Sequence, residues 1–107
     1  MIKTIRYQAV LAAVFALAGA VSFAQSSGEA TYKAMCLKCH GAAGMSDTAL
    51  GKTLKVKLVT DPAVKNMTET RMIDATKNGM GKMQPYKGKL SDAQIKDSVT
   101  YFRKFIK

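Results

Sequence analysis

Apolar positions change their rhythm along the chain. They run almost unbroken from about Ala9 to Val21, behind Lys3 and Arg6 and ahead of the small-residue pattern Ser22-Phe23-Ala24. This succession of basic, apolar and small-residue regions predicts a secretory signal over residues 1–24, removed after Ala24. The apolar run falls short of the about 20 residues that a membrane-spanning helix needs, and no other stretch is apolar enough to cross a bilayer.

From residue 25 the pattern becomes helical and discontinuous. Ser26 with Glu29 three residues later forms a capping box. Behind it Gly28, Tyr32, Met35, Cys36 and Cys39 recur at spacings of three and four, so they share one face of a helix that should stop near His40-Gly41. From Gly41 to Thr60 glycine, serine and lysine with scattered aliphatics predict loop. The alternation Leu54-Lys55-Val56-Lys57-Leu58 has no partner strand in the sequence and is read as extended loop. Asp61-Pro62 predicts a short helix over about 62–66. Thr68 caps another, through Arg71 to Thr76, closed by Asn78-Gly79. Ser91 with Gln94 forms a second capping box, opening a last helix whose stripe is Ile95, Val99, Phe102 and Ile106, widened by Tyr101 and Phe105. Neither repeats nor convincing β-structure emerge. The expected fold is all-α, three to five helices joined by long loops that need something to pack against.

Size and charge sharpen this picture. The whole chain has 107 residues and a formal charge of +10; the signal carries Lys3 and Arg6 and no acid, so its removal lowers that charge by two. A single domain over residues 25–107 is marginal for one hydrophobic core unless a disulfide, metal or cofactor reinforces it. The basic balance favours acidic partners or surfaces. Nucleic acid fits the charge, but export takes the chain away from it.

The two cysteines and the single histidine stand together in Cys36-Leu37-Lys38-Cys39-His40. This is the C-x-x-C-H arrangement of c-type haem attachment. On one helical turn both thiols can meet the two vinyl groups along one porphyrin edge and form thioethers. The next side chain, His40, is then directed at the iron. A disulfide inside so short a loop gains little and has poor geometry. A thioredoxin-like pair needs a βαβ context that is missing, and a zinc site lacks a fourth Cys or His ligand. One covalently attached haem c, with its iron, is therefore the expected cofactor.

The opposite axial position has several candidates. A second histidine does not exist, which leaves methionine sulfur, lysine amine, water or nothing. Met35, Met67 and Met72 lie on or beside predicted helices, where a methionine commonly fills core gaps. Met80 and Met83 are different, because they sit in the polar loop Gly79-Met80-Gly81-Lys82-Met83-Gln84-Pro85, where a thioether exposed to water gains nothing.

From Gly28-x-x-x-Tyr32 through Cys36-x-x-Cys39-His40-Gly41 to Met83-x-x-Tyr86-Lys87-Gly88-Lys89-Leu90 and Tyr101, the chain resembles small bacterial single-haem class I c-type cytochromes. The resemblance implies a cytochrome c-like fold, helices and long loops wrapped around one haem, with the N- and C-terminal helices crossing so that Gly28 and Tyr32 meet Tyr101. It also implies that the axial methionine is the one preceding the Tyr-Lys-Gly-Lys-Leu segment, which is Met83. Two departures stand out. Family members commonly have proline directly after that methionine, where this chain has Gln84 before Pro85. Many also have a proline before a leucine in the first loop, whose backbone carbonyl holds the histidine's other nitrogen; here Gly51-Lys52-Thr53-Leu54 stands in its place, and His40 needs another acceptor.

With His40 and Met83 both on the iron, no position is open for a substrate and no acid, base or nucleophile is required. The expected function is a soluble periplasmic one-electron carrier, not an enzyme, monomeric and without stable membrane insertion once the signal is cleaved. Its expected partners are acidic redox proteins, membrane-bound or soluble, met through Lys38, Lys82, Lys87 and Lys89 around the exposed haem face. Two other readings are a haem protein whose labile sixth ligand admits peroxide or a small gas, and a redox subunit fixed in a larger complex.

Overall fold

The computed structural model describes residues 27–107. The expected signal, residues 1–24, and the cap expected at Ser26 lie outside the described residues. Six short helices follow: α1 over residues 27–35, α2 Leu37–His40, α3 Ala49–Thr53, α4 Pro62–Lys65, α5 Glu69–Asn78 and α6 Asp92–Arg103. Among the described residues there are no strands, only isolated bridges between Met80 and Met83 and between Lys87 and Leu90. The all-α expectation holds. The count of six reflects a first helix interrupted at Cys36 and a short turn of helix, α3, in the segment read as loop.

Local capping explains most boundaries. The Thr48 hydroxyl accepts from the Gly51 amide and starts α3, Asp61 accepts from Ala63 N–H at the proline-led α4, and Thr68 accepts from Arg71 N–H at α5. At α6 both halves of the capping box form: Ser91 Oγ accepts from Gln94 N–H at 3.1 Å while Gln94 Oε1 accepts from Ser91 N–H at 2.9 Å. Ile106 falls beyond the end of α6, so the apolar stripe continues off the helix into the C-terminal turn.

Helix α1 crosses α6. A Cβ added at Gly28 would stand 2.6 Å from the Asp97 carbonyl oxygen, so the two backbones approach as closely as glycine permits. One turn on, the Tyr32 ring lies 5.2 Å from that of Tyr101 and 5.7 Å from that of Phe105. The aromatic half of the expected crossing is therefore present, and the atoms nearest to Gly28 are those of Asp97, one helical turn before Tyr101. Successive crossing points on α6 are a helical turn apart, and a glycine is needed only where backbone touches backbone. Tyr32 is 1 % exposed, and its hydroxyl donates to the Gly41 carbonyl at 2.6 Å, tying α1 to the loop behind α2.

Helix α5 packs along α6 from the other side. Met72 and Ala75 of α5 and Ile95 and Val99 of α6 are buried, and each fully buried aliphatic side chain contributes roughly 1.5–3 kcal/mol. At the rim Thr100 Oγ1 donates to Glu69 Oε1, and Arg103 Nη1 donates to the Met67 carbonyl, both at 3.0 Å. The segment Gly41–Thr60 wraps the remaining side. Val59 is its buried anchor, and it contains two non-glycine residues with positive φ, Ser46 and Lys55. Residues 54–58 form no strand, in keeping with the extended loop read there.

Candidate functional site

The turn at Cys36 sets the site. Its amide still donates to the Tyr32 carbonyl at 2.8 Å, and the His40 amide donates to the Cys36 carbonyl at 2.9 Å. Helical register thus passes through the interruption, and Cys36, Cys39 and His40 stay on a shared side of one turn. Gly41, with φ +82°, ends α2 directly after the histidine. α3 backs this turn: the Thr48 hydroxyl donates to the Lys38 carbonyl, and Gly51 is buried against the Cys39 backbone.

Between α1, α5, α6 and the two long loops lies a cavity of about 520 Å³. That volume lies within the about 300–1,000 Å³ usual for cofactor and ligand sites. Its walls are largely apolar, with Val56, Val64, Met67, Met72, Val99 and Phe102 among them. Cys36 and His40 open into it from one side, and Met80 and Met83 from the distal loop. Cys39, three residues on, is half-buried but does not line it, and both thiols are free. Burial pushes the Cys36 thiol up to about 11, with the neighbouring Cys39 adding to the shift. Tyr86 lies beside both cysteines, with its hydroxyl donating to the Met35 carbonyl at 3.2 Å; burial raises its pKa.

His40 carries the clearest chemical signal. Its Nδ1 is buried without a hydrogen-bond partner, alone among the described side-chain nitrogens and oxygens. Burial lowers the imidazole pKa, which favours the neutral, lone-pair-bearing form that binds metal. The ring meets the edge of Phe102 at 5.3 Å between centroids. The acceptor expected for the second nitrogen is not provided by any residue, which matches the absence of the usual proline segment before Leu54. Among the described residues no three His, Cys, Asp or Glu side chains converge as a metal cluster. The three residues of the C-x-x-C-H sequence are adjacent along the chain but do not converge on a common point, as a zinc site would require. A largely apolar cavity, a neutral imidazole and the Cys36 thiol opening into it, a second free thiol three residues on and thioethers from the distal loop fit a haem better than an ion.

Three lysines line this cavity: Lys55, Lys57 and Lys82. Lys82 was expected at the haem face. Lys38, Lys87 and Lys89 are exposed but do not line the cavity, and the Lys89 ammonium is occupied with Gln84 Oε1 at 2.9 Å. Lys55 and Lys57 were missed, because an alternating loop with no partner strand gave no reason to fold it against a cofactor. The left-handed conformation of Lys55, at φ +54°, is the backbone turn that brings four consecutive residues, Leu54 to Lys57, to the cavity wall.

Residues 23–102 match the family model described as cytochrome C oxidase, cbb3-type, subunit III. No curated protein matches the chain. Among solved structures, the KustC0563 c-type cytochrome is 30 % identical with a TM-score of 0.67, over 75 % of this chain and 98 % of that one. The family match extends from before α1 to the middle of the aromatic cluster on α6, and so takes in the whole cavity. The chain belongs to the cytochrome c oxidase cbb3-type subunit III family, and it is a small class I c-type cytochrome, a haem-based electron-transfer protein.

Proposed function

We propose that this protein is a soluble periplasmic carrier of single electrons, with one haem c joined to Cys36 and Cys39 and its iron held between His40 and Met83. The observation that carries the reading is that His40 and Met83 open into one apolar cavity from different walls. Haem c, when bound, supplies a one-electron iron couple. The chain's own part is binding and environment. Cys36 and Cys39 present thiols three residues apart on one turn, and the neutral His40 imidazole offers a nitrogen. Val99, Phe102 and Met72 keep water from the macrocycle, which together with a thioether ligand favours the reduced state. Export is supported by the expected signal.

The test is spectroscopic. Purified from an exported preparation, the oxidised protein should show a sulfur-to-iron charge-transfer band and bind cyanide slowly, and its mass should equal residues 25–107 plus one haem. Rapid ligand binding to a high-spin iron would show instead a protein with an open sixth position and remove the carrier assignment.

The family match gives a second reading its own support. The matched family is described by a subunit of a larger oxidase, so the domain is alternatively a redox subunit docked in a complex. Retention of the haem protein in a membrane complex after mild solubilisation, rather than its release with the soluble periplasm, favours that reading.

A further inference from the structure

We infer that Met80 is a second thioether ligand for the same iron, so that the sixth position is shared between Met83 and Met80; this rests on the His/Met ligation proposed above. The evidence is the backbone of the distal loop. Met80 N–H donates to the Met83 carbonyl at 3.0 Å and Met83 N–H donates to the Met80 carbonyl at 2.9 Å, closing a two-residue hairpin around Gly81 and Lys82. Gly81, with φ +56° at the first central position, supplies the left-handed residue that such a primed turn requires.

Residues that exchange both hydrogen bonds stand directly opposite one another, about 5.5 Å apart at Cα, with side chains on the same face. The two thioethers therefore point the same way, and that way is the cavity, which Met80, Gly81, Lys82 and Met83 line together. A single exposed methionine needs no explanation on a protein surface, and Met80 is 48 % exposed. One paired with the axial candidate across a closed hairpin and lining the cofactor cavity is different. Each methionine has an unbranched side chain with three rotatable bonds, so reach does not separate them.

The hairpin is anchored at both ends. On its far side the Tyr86 amide is fixed to the Thr76 carbonyl at 2.9 Å and the Lys87 amide to the Lys77 carbonyl at 3.1 Å; on its near side Gly79, with φ +82°, leaves α5. Between these anchors the hairpin is held together by its own two hydrogen bonds, and Gly79 lets its backbone pass close to the Met83 carbonyl. Gln84 follows Met83 with a free φ, where a proline would lock it. Tilting the hairpin retracts one sulfur and advances the other, exchanging one iron–sulfur bond for another without transfer of a proton or an electron.

The experiment uses the haem-loaded protein. In the reduced wild type labelled with [13C-methyl]methionine, two methyl signals shifted by the haem ring current and linked by exchange are expected, collapsing to one in Met80→Ala. In the oxidised state the charge-transfer band should survive in Met80→Ala and, at altered wavelength, in Met83→Ala, and be lost in the double variant. A single shifted methyl in the wild type, together with loss of the band in Met83→Ala alone, overturns the sharing and leaves Met83 as the sole ligand. Absence of the band from the wild type overturns the His/Met reading itself. If Met83→Ala fails to retain haem, the wild-type methyl spectrum decides.

Discussion

The Asp97 carbonyl oxygen stands 2.6 Å from where a side chain at Gly28 would begin. Both atoms belong to the backbone of packed helices, so neither gives way cheaply. Gly28→Ala must push α1 from α6, loosening the ring contacts of Tyr32 with Tyr101 and Phe105 one turn away. The expected loss is about 1–3 kcal/mol, the range for overpacking a tight contact. Denaturant unfolding of the haem-loaded protein measures it, and an unchanged midpoint shows that the crossing is looser than described.

The Tyr32 hydroxyl and the Gly41 carbonyl form a buried 2.6 Å bond directly after the turn that carries Cys36, Cys39 and His40. Tyr32→Phe leaves that carbonyl to find another donor, at a cost of about 1–3 kcal/mol. The pH dependence separates this from a packing effect. Burial raises the Tyr32 pKa above its ordinary 10.0, so in strongly alkaline solution the unfolded chain ionises there while the folded one stays neutral. The stability contributed by the neutral phenol is fully present below pH 10 and declines as pH rises through the folded value. Wild type should therefore lose stability above pH 10 more steeply than Tyr32→Phe; parallel curves count against a buried neutral phenol.

At the start of α6 two backbone donors depend on the reciprocal bonds of Ser91 and Gln94. Ser91→Ala should cost about 1 kcal/mol by thermal or urea unfolding, while Ser91→Asp should restore most of it, because a carboxylate caps as well. No effect of the alanine would mean that water satisfies the same groups.

Lys55, Lys57 and Lys82 line the cavity proposed for the haem, and none of the seven acidic residues lines it. Reversal of these three charges should slow electron transfer from an acidic partner at low ionic strength and flatten its salt dependence. The wild-type and variant rates should converge as salt screens the encounter. Each of the three reversed singly is compared with Lys96→Glu, on the exposed side of α6, a control of equal charge change. Equal effects from Lys96 and from the cavity lysines would attribute steering to net charge rather than to this face.

Much of the molecule was legible before any coordinates because its signals are local. Thr68, Asp61 and Ser91 cap helices through atoms two or three residues away, and the C-x-x-C-H spacing keeps two thiols and an imidazole on one turn whatever surrounds them. The α1–α6 aromatic contact came from resemblance and was confirmed for Tyr32. What was illegible involved partners distant in the chain. The alternation over Leu54–Leu58 says nothing of where it folds, and the left-handed Lys55 that turns it toward the cavity is a residue for which sequence offers no warning.

An all-α chain, a turn that carries Cys36, Cys39 and His40 together and a methionine-bearing polar loop follow from sequence alone, because each depends on covalent spacing and on hydrogen bonds within a few residues. Only the tertiary structure decided that Gly28 meets Asp97, that Lys55 and Lys57 join Lys82 at the cavity, that His40 Nδ1 is left without an acceptor, and that Met80 and Met83 face the same space. Those outcomes depend on how separate segments close over a shared apolar volume, and the free energy of that closure is distributed over contacts that no single stretch of sequence contains.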